Sequence, residues 1–224
     1  RYIEEKLEAS WNFINKIWNA SRFVMMNMPE DFTLEDIDLS TLSITDTWIL
    51  NRLNETIASV TANMDKYEFA LVGNELYSFI WDDFCSWYIE LSKAGLNSED
   101  AQVKRATQST LIVCLRAIIR LLHPFMPFIT EELWQQMYER EEGESIMVCP
   151  LSMDTHVDSE MIQQFEVVKE VISNVRSIRL QKNIAQKETL ELQVVGENPV
   201  DAFNLVVMKM CNLSAIDVVD TKTE

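Results

Sequence analysis

At 224 residues with 47% hydrophobic content, the chain can bury one large core or two small ones. Charges recur too often for any apolar run to approach the ~20 residues that span a bilayer, so a cytosolic (cytoplasmic) protein with no membrane partner is expected. The formal net charge of −17, from 36 acidic and 19 basic residues, argues against a polyanionic partner unless the basic residues are gathered locally.

A first helix is expected from about Tyr2 to Met28, because Leu7, Trp11, Ile14, Trp18, Ser21 and Met25 alternate by four and three and should form its buried stripe. The pattern is already helical at Arg1, which is not a Met, so the sequence reads as a piece of something longer. Pro29 stops this helix, and an acidic irregular stretch leads to Asp46, expected as the N-cap of a second helix carrying Ile49, Leu53, Ile57, Val60 and Met64 and ending near Asp65. A third helix carries Phe69, Val72, Leu76, Ile80, Phe84 and Trp87, with Gly95 fitted to its C′ position. A fourth opens after Asn97 or Ser98 and holds Val103, Leu111, Cys114, Leu115, Ile118 and Leu122 until His123 and Pro124 break it, and Pro127 begins a shorter fifth. Long amphipathic helices with mostly short connections predict an antiparallel bundle.

From about Glu144 the texture changes. Ser145 to Cys149 reads as a short strand, Pro150 to Val157 as a linker, Asp158 to Leu180 as a helix, Thr189 to Val195 as a strand, Pro199 to Lys209 as a short helix and Ser214 to Val218 as a strand. The expected class is therefore mainly α: an antiparallel helical bundle over 1–150, followed by a small α/β element over 151–224.

Few residues point to catalysis. Cys85, Cys114, Cys149 and Cys211 are too far apart for a zinc knuckle or a disulfide framework and are expected as reduced, mostly buried thiols. The four glycines supply no phosphate-cradling loop. Neither His123 nor His156 stands at a helical spacing from a second metal-type ligand. His123 is expected to donate to a backbone carbonyl, and His156 to lie exposed in a loop. Asp82 and Asp83 resemble a catalytic pair, but neighbouring helical positions point about 100° apart. One of them is expected to accept from an indole or a backbone donor inside the bundle.

Three acid-poor stripes stand out in this acidic chain. Trp11 to Asn27 holds Lys16 and Arg22 with no acid; Ala101 to Thr130 holds Lys104, Arg105, Arg116 and Arg120 with none; Lys169 to Lys187 sets five bases against Glu170. In the first stripe Asn15, Lys16, Asn19, Arg22 and Phe23 combine amide, cationic and aromatic groups, the set that reads single-stranded RNA by base-edge bonding, phosphate contact and stacking. The same residues would also serve as an ordinary polar helix flank.

In order along the chain, Asn12-Phe13-Ile14-Asn15-Lys16-Ile17-Trp18-Asn19-Ala20-Ser21-Arg22-Phe23, Asp46-Thr47-Trp48-Ile49-Leu50-Asn51-Arg52-Leu53-Asn54, Phe84-Cys85-Ser86-Trp87-Tyr88 and Leu121-Leu122-His123-Pro124-Phe125-Met126-Pro127-Phe128-Ile129-Thr130-Glu131-Glu132-Leu133-Trp134 resemble the anticodon-binding domain of class Ia aminoacyl-tRNA synthetases. The last segment is shared across the branched-aliphatic enzymes, and the run from Asn15 to Phe23 looks most like the valyl group. The resemblance extends more weakly through Asn174-Val175-Arg176-Ser177-Ile178-Arg179.

It implies a bundle that grips the anticodon stem and loop of tRNA(Val), beside an upstream catalytic domain of the same chain that would bind ATP, charge the tRNA and work with an editing domain. By resemblance, Asn15, Lys16, Asn19, Arg22 and Trp48 are expected at the anticodon, with Arg52 as a backbone contact. No catalytic residue, metal or cofactor is expected in these 224 residues, which should be inactive alone. Two alternatives remain open: a piece of an isoleucyl or leucyl enzyme, and an acidic helical module that docks a basic protein.

Overall fold

The computed structural model describes residues 4–138, 140–149 and 157–221. The chain divides into two compact units, Arg1–Val157 and Asp158–Glu224. In the first, helix α1 (Glu4–Met26) is followed by a 3-10 turn at Leu34–Asp36, α2 (Ile44–Asp65), α3 (Phe69–Ser78), a π-helical segment (Phe79–Tyr88), α4 (Ile89–Leu96), α5 (Ala101–Leu122) and α6 (Pro127–Gln136). None of the described helices is long and apolar enough to cross a membrane.

Helix α2 begins differently from expectation. Ser43 is its N-cap, and Asp46 stands at the third helical position of a reciprocal capping box. The Asp46 carboxylate accepts from Ser43 N–H at 3.0 Å and from the Ser43 hydroxyl at 2.7 Å, while Asp46 N–H donates to Ser43 Oγ at 3.2 Å. Its other oxygen receives the phenol of Tyr88 at 2.5 Å, which ties the end of the π segment to the start of α2. Burial, and Asp46 itself, push the Tyr88 phenol well above its usual range and keep it protonated as the donor. Gln108 Nε2 donates to Asn27 O at 2.6 Å, which sets the start of α5 beside the end of α1.

The buried stripe of α1 is rotated from the expected one. Ile17, Ala20, Ser21 and Val24 are buried, whereas Trp11 and Trp18 are 63% and 41% exposed. Bulk misleads here, because the face of α1 that meets α5 and the π segment is the one that carries Ile17, Ala20, Ser21 and Val24. The expected third helix is a continuous run from Phe69 to Leu96 with the π segment inside it. Gly95 therefore lies within the last turn of α4 rather than at a C′ position, and a β-carbon there would stand 2.1 Å from Thr107 Oγ1 on α5. The strand expected at Ser145 to Cys149 is a 3-10 turn, Ile146–Val148, capped by the Ser145 hydroxyl. The linker expected at Pro150 to Val157 lies, except for Val157, outside the described residues, as does His156.

The second unit runs α7 (Ser159–Gln181), β1 (Leu190–Val195), a 3-10 turn (Asp201–Phe203), α8 (Asn204–Cys211) and β2 (Leu213–Val219), with β1 and β2 paired in parallel. Two parallel strands require a crossover, and α8 provides it. Phe165, Val168 and Ile172 of α7 meet Phe203 and Val207 in the core, where the Phe165 and Phe203 rings are 5.3 Å apart edge to face. Arg179 is 1% exposed and donates to Ala185 O at 2.9 Å, Cys211 O at 2.8 Å and Asn212 O at 3.3 Å, so one guanidinium joins the loop after α7 to the end of α8.

Candidate nucleic-acid interface

Opposite the buried face of α1, Asn15, Asn19 and Arg22 recur at intervals of four and three and are exposed. Among the described residues none of the three makes a hydrogen bond or ion pair, so their donors and acceptors are free for a ligand. No acid lies between Trp11 and Asn27, and the acids of α1, Glu4, Glu5 and Glu8, all stand in its first turns, far from Arg22. Lys16, one position from Asn15, is half-buried. Its ammonium donates to Ser86 Oγ at 3.2 Å and lies 3.9 Å from the Trp81 ring centre.

Two expected contacts are corrected by burial. Trp48 is 0% exposed, with no face left for a base to stack on, because α2 packs against α3, the π segment, α4 and α5. Arg52 also turns inward: its Nε donates to Asp83 Oδ2 at 3.0 Å and it pairs with Glu55. Burial opposes the Arg52 charge, but Asp83 and Glu55 outweigh it and raise its pKa, so the guanidinium is committed to the bundle. Asp83 thus receives the Arg52 guanidinium, a donor that the sequence reading did not name.

The remaining basic stripes are partly consumed by the fold. In the second, Arg105 bonds to the carbonyl and carboxylate of Asp36, and Arg116 turns toward the Trp134 ring of α6, 5.8 Å from its centre. Arg140, from outside the stripe, lies 3.7 Å from the same ring and 4.0 Å from that of Tyr138. Burial and the neighbouring Arg116 lower the pKa of Arg120. In the third, Arg179 is buried and Lys169 pairs with Glu166, leaving Arg176, Lys182 and Lys187 exposed.

His123 Nδ1 lies 2.7 Å from Thr130 Oγ1, whose hydroxyl donates to Met126 O at 2.8 Å, so its partner is a hydroxyl and not the expected carbonyl. Among the described residues no group of His, Cys, Asp or Glu is placed to hold a metal. All four cysteines are free thiols, Cys114 and Cys211 buried and Cys85 and Cys149 half-buried. Burial pushes Cys85 up to about 12 despite nearby Lys16, so it is a poor nucleophile.

Sequence reading missed a ladder of rings on the side of α1 that meets α3 and the π segment. Phe13 stacks on Tyr77 at 5.2 Å, and Tyr77 on Trp81 at 5.5 Å with planes 9° apart. Tyr77, Trp81 and Ser86 reach α1 from α3 and the π segment, and a strict 3.6-residue period puts Trp81 and Ser86 on different faces. The density of aromatics from Tyr77 to Tyr88 was the only available signal.

The family described as "Anticodon-binding domain of tRNA ligase" matches residues 46–194, more than half of the chain. The chain is 51% identical over 219 residues to a valine–tRNA ligase of Bacteroides thetaiotaomicron, 46% over 226 to one of Bacillus thuringiensis subsp. konkukian and 45% over 226 to one of Staphylococcus aureus. Each comparison covers 97% of this chain and 24%, 25% and 26% of those relatives, so the chain spans about a quarter of their length. The relatives align across α1 as well, where the free amides and guanidinium stand, and with the match over 46–194 the chain belongs to the anticodon-binding domain family of tRNA ligases.

Proposed function

We propose that this chain is the part of a valine–tRNA ligase that holds the anticodon stem and loop of tRNA(Val). The observation that carries the reading is the face of α1, where Asn15, Asn19 and Arg22 are exposed, free of partners and set in a stretch of sequence without acids. Valine anticodons carry adenine in the middle and cytosine in the third place. A carboxamide can accept from the adenine amino group while donating to a ring nitrogen, and a guanidinium can donate to the cytosine carbonyl and ring nitrogen. Discrimination then follows from unpaired donors left behind by a wrong base. ATP binding, amino-acid activation, transfer and editing belong to other parts of such a ligase, with a catalytic domain of the same polypeptide as the bundle's neighbour.

Titration of the chain with anticodon stem–loop transcripts at low salt tests this. Binding should favour the valine over the isoleucine anticodon, and Asn19→Ala and Arg22→Ala should each weaken it by about tenfold, the loss of one good hydrogen bond to a charged or base-edge group. Equal affinity for both transcripts, unchanged in both variants, would refute the reading.

A further inference from the structure

The π segment does more than complete a long helix. π turns are rare and often mark functional sites, and their bonding joins groups five residues apart. Ser86 Oγ donates to Trp81 O at 2.7 Å, five residues back, and so holds its own oxygen in place as an acceptor. Lys16 Nζ reaches that oxygen at 3.2 Å and covers the Trp81 ring at 3.9 Å. The ring is steadied in turn through Tyr77 and Phe13, and Phe13 lies one turn before Lys16 on α1. The contacts therefore close a circuit from α1 across α3 and the π segment and back to the Lys16 ammonium.

Every group in this cradle is neutral. A carboxylate partner would cancel the charge of the lysine, and neither the Ser86 hydroxyl nor the Trp81 ring does so. A hydroxyl and an indole face orient the ammonium while leaving its full charge, and those of its three donors not used by Ser86, for something else.

Resting on the anticodon reading above, we infer that Trp81 and Ser86 are positioning residues that hold the Lys16 ammonium on the flank of the face bearing Asn15, Asn19 and Arg22, to meet an acceptor oxygen of an unpaired nucleotide. The gain is preorganisation: a free lysine gives up rotamer freedom on binding, and this one has given it up beforehand.

A mutant cycle on the 224-residue chain, with a valine anticodon stem–loop as the probe, separates positioning from bulk stability. Lys16→Met should weaken binding by about tenfold, Ser86→Ala and Trp81→Leu by roughly three- to tenfold, and Trp81→Phe, which keeps a ring, by less. The double variants Lys16→Met/Ser86→Ala and Lys16→Met/Trp81→Leu should bind no more weakly than Lys16→Met, because both residues act through the lysine. Should Trp81→Leu fail to fold, Ser86→Ala and Trp81→Phe carry the test. Additive losses in the doubles would overturn the inference, as would wild-type binding by Lys16→Met while Arg22→Ala is impaired. Absence of RNA binding by the unmodified chain would overturn it together with the reading on which it rests.

Discussion

Arg52 and Asp83 show how a single side chain can be claimed by the core when its residue type suggests a ligand contact. Their side chains are 13% and 5% exposed, so removing the carboxylate strands a cation in a poorly solvated place. Asp83→Ala should cost about 3 kcal/mol in urea denaturation, the low end for a broken buried pair because Glu55 stays beside the guanidinium. Replacing both partners, as in Arg52→Met/Asp83→Leu, should cost far less.

Acidification addresses another set of residues. The backbone N–H and hydroxyl of Thr33, with Arg105, hold the Asp36 carboxyl below its usual range. Burial works against Glu131, but Gln135, Ser145 and the Ile146 N–H hold it down as well. A carboxyl depressed in the folded state stabilises above its unfolded pKa, and that contribution disappears as pH falls through its folded pKa. Melting temperature should therefore fall between about pH 5 and pH 3, and the difference should shrink in Asp36→Asn/Glu131→Gln. An equal pH dependence in that variant would rule these carboxyls out as its source.

At the scale of elements, two glycines make opposite predictions. Gly95 marks the close approach of α4 to α5, where a β-carbon would collide with Thr107, itself buried against Asp46 at 3.5 Å. Gly95→Ala should destabilise by about 1–3 kcal/mol through overpacking. Gly73, inside α3 with nothing within 4 Å of an added β-carbon, should gain about 0.5–1 kcal/mol from Gly73→Ala. Thermal melts of the two variants shifting in the same direction would contradict this account. Helix existence, order and most ends were legible from periodicity and from Pro29, Pro124 and Pro127, since those signals are local. The π segment was not legible, because Phe84 and Trp87 fit an α stripe equally well and nothing in their spacing distinguishes the wider winding. The 3-10 turn at Ile146–Val148 defeated the strand reading for a similar reason: no neighbouring strand among the described residues is there to pair with it.

At the scale of the whole molecule, a charge of −17 must be reconciled with a polyanionic ligand. The structure does so by placement: Arg105 of the second basic stripe is spent on Asp36, while α1 keeps Arg22 free and Lys16 on neutral partners. Displacement of two counterions from a single-stranded loop by Lys16 and Arg22 would give about a sevenfold loss of affinity between 50 and 200 mM salt, far less than a basic RNA-binding surface shows. A salt slope several times steeper in filter binding would mean that other cations carry the interaction. The sequence alone determined the mainly α class, the succession of helices, the α/β character of the second unit and the face of α1 bearing Asn15, Asn19 and Arg22. All of these depend on residue spacing within one element. Only the tertiary structure decided that Trp48 and Arg52 belong to the core and that Trp81 and Ser86 meet Lys16. Burial and cross-helix contact depend on which neighbour covers a given face, and one helix's periodicity carries no record of its neighbour.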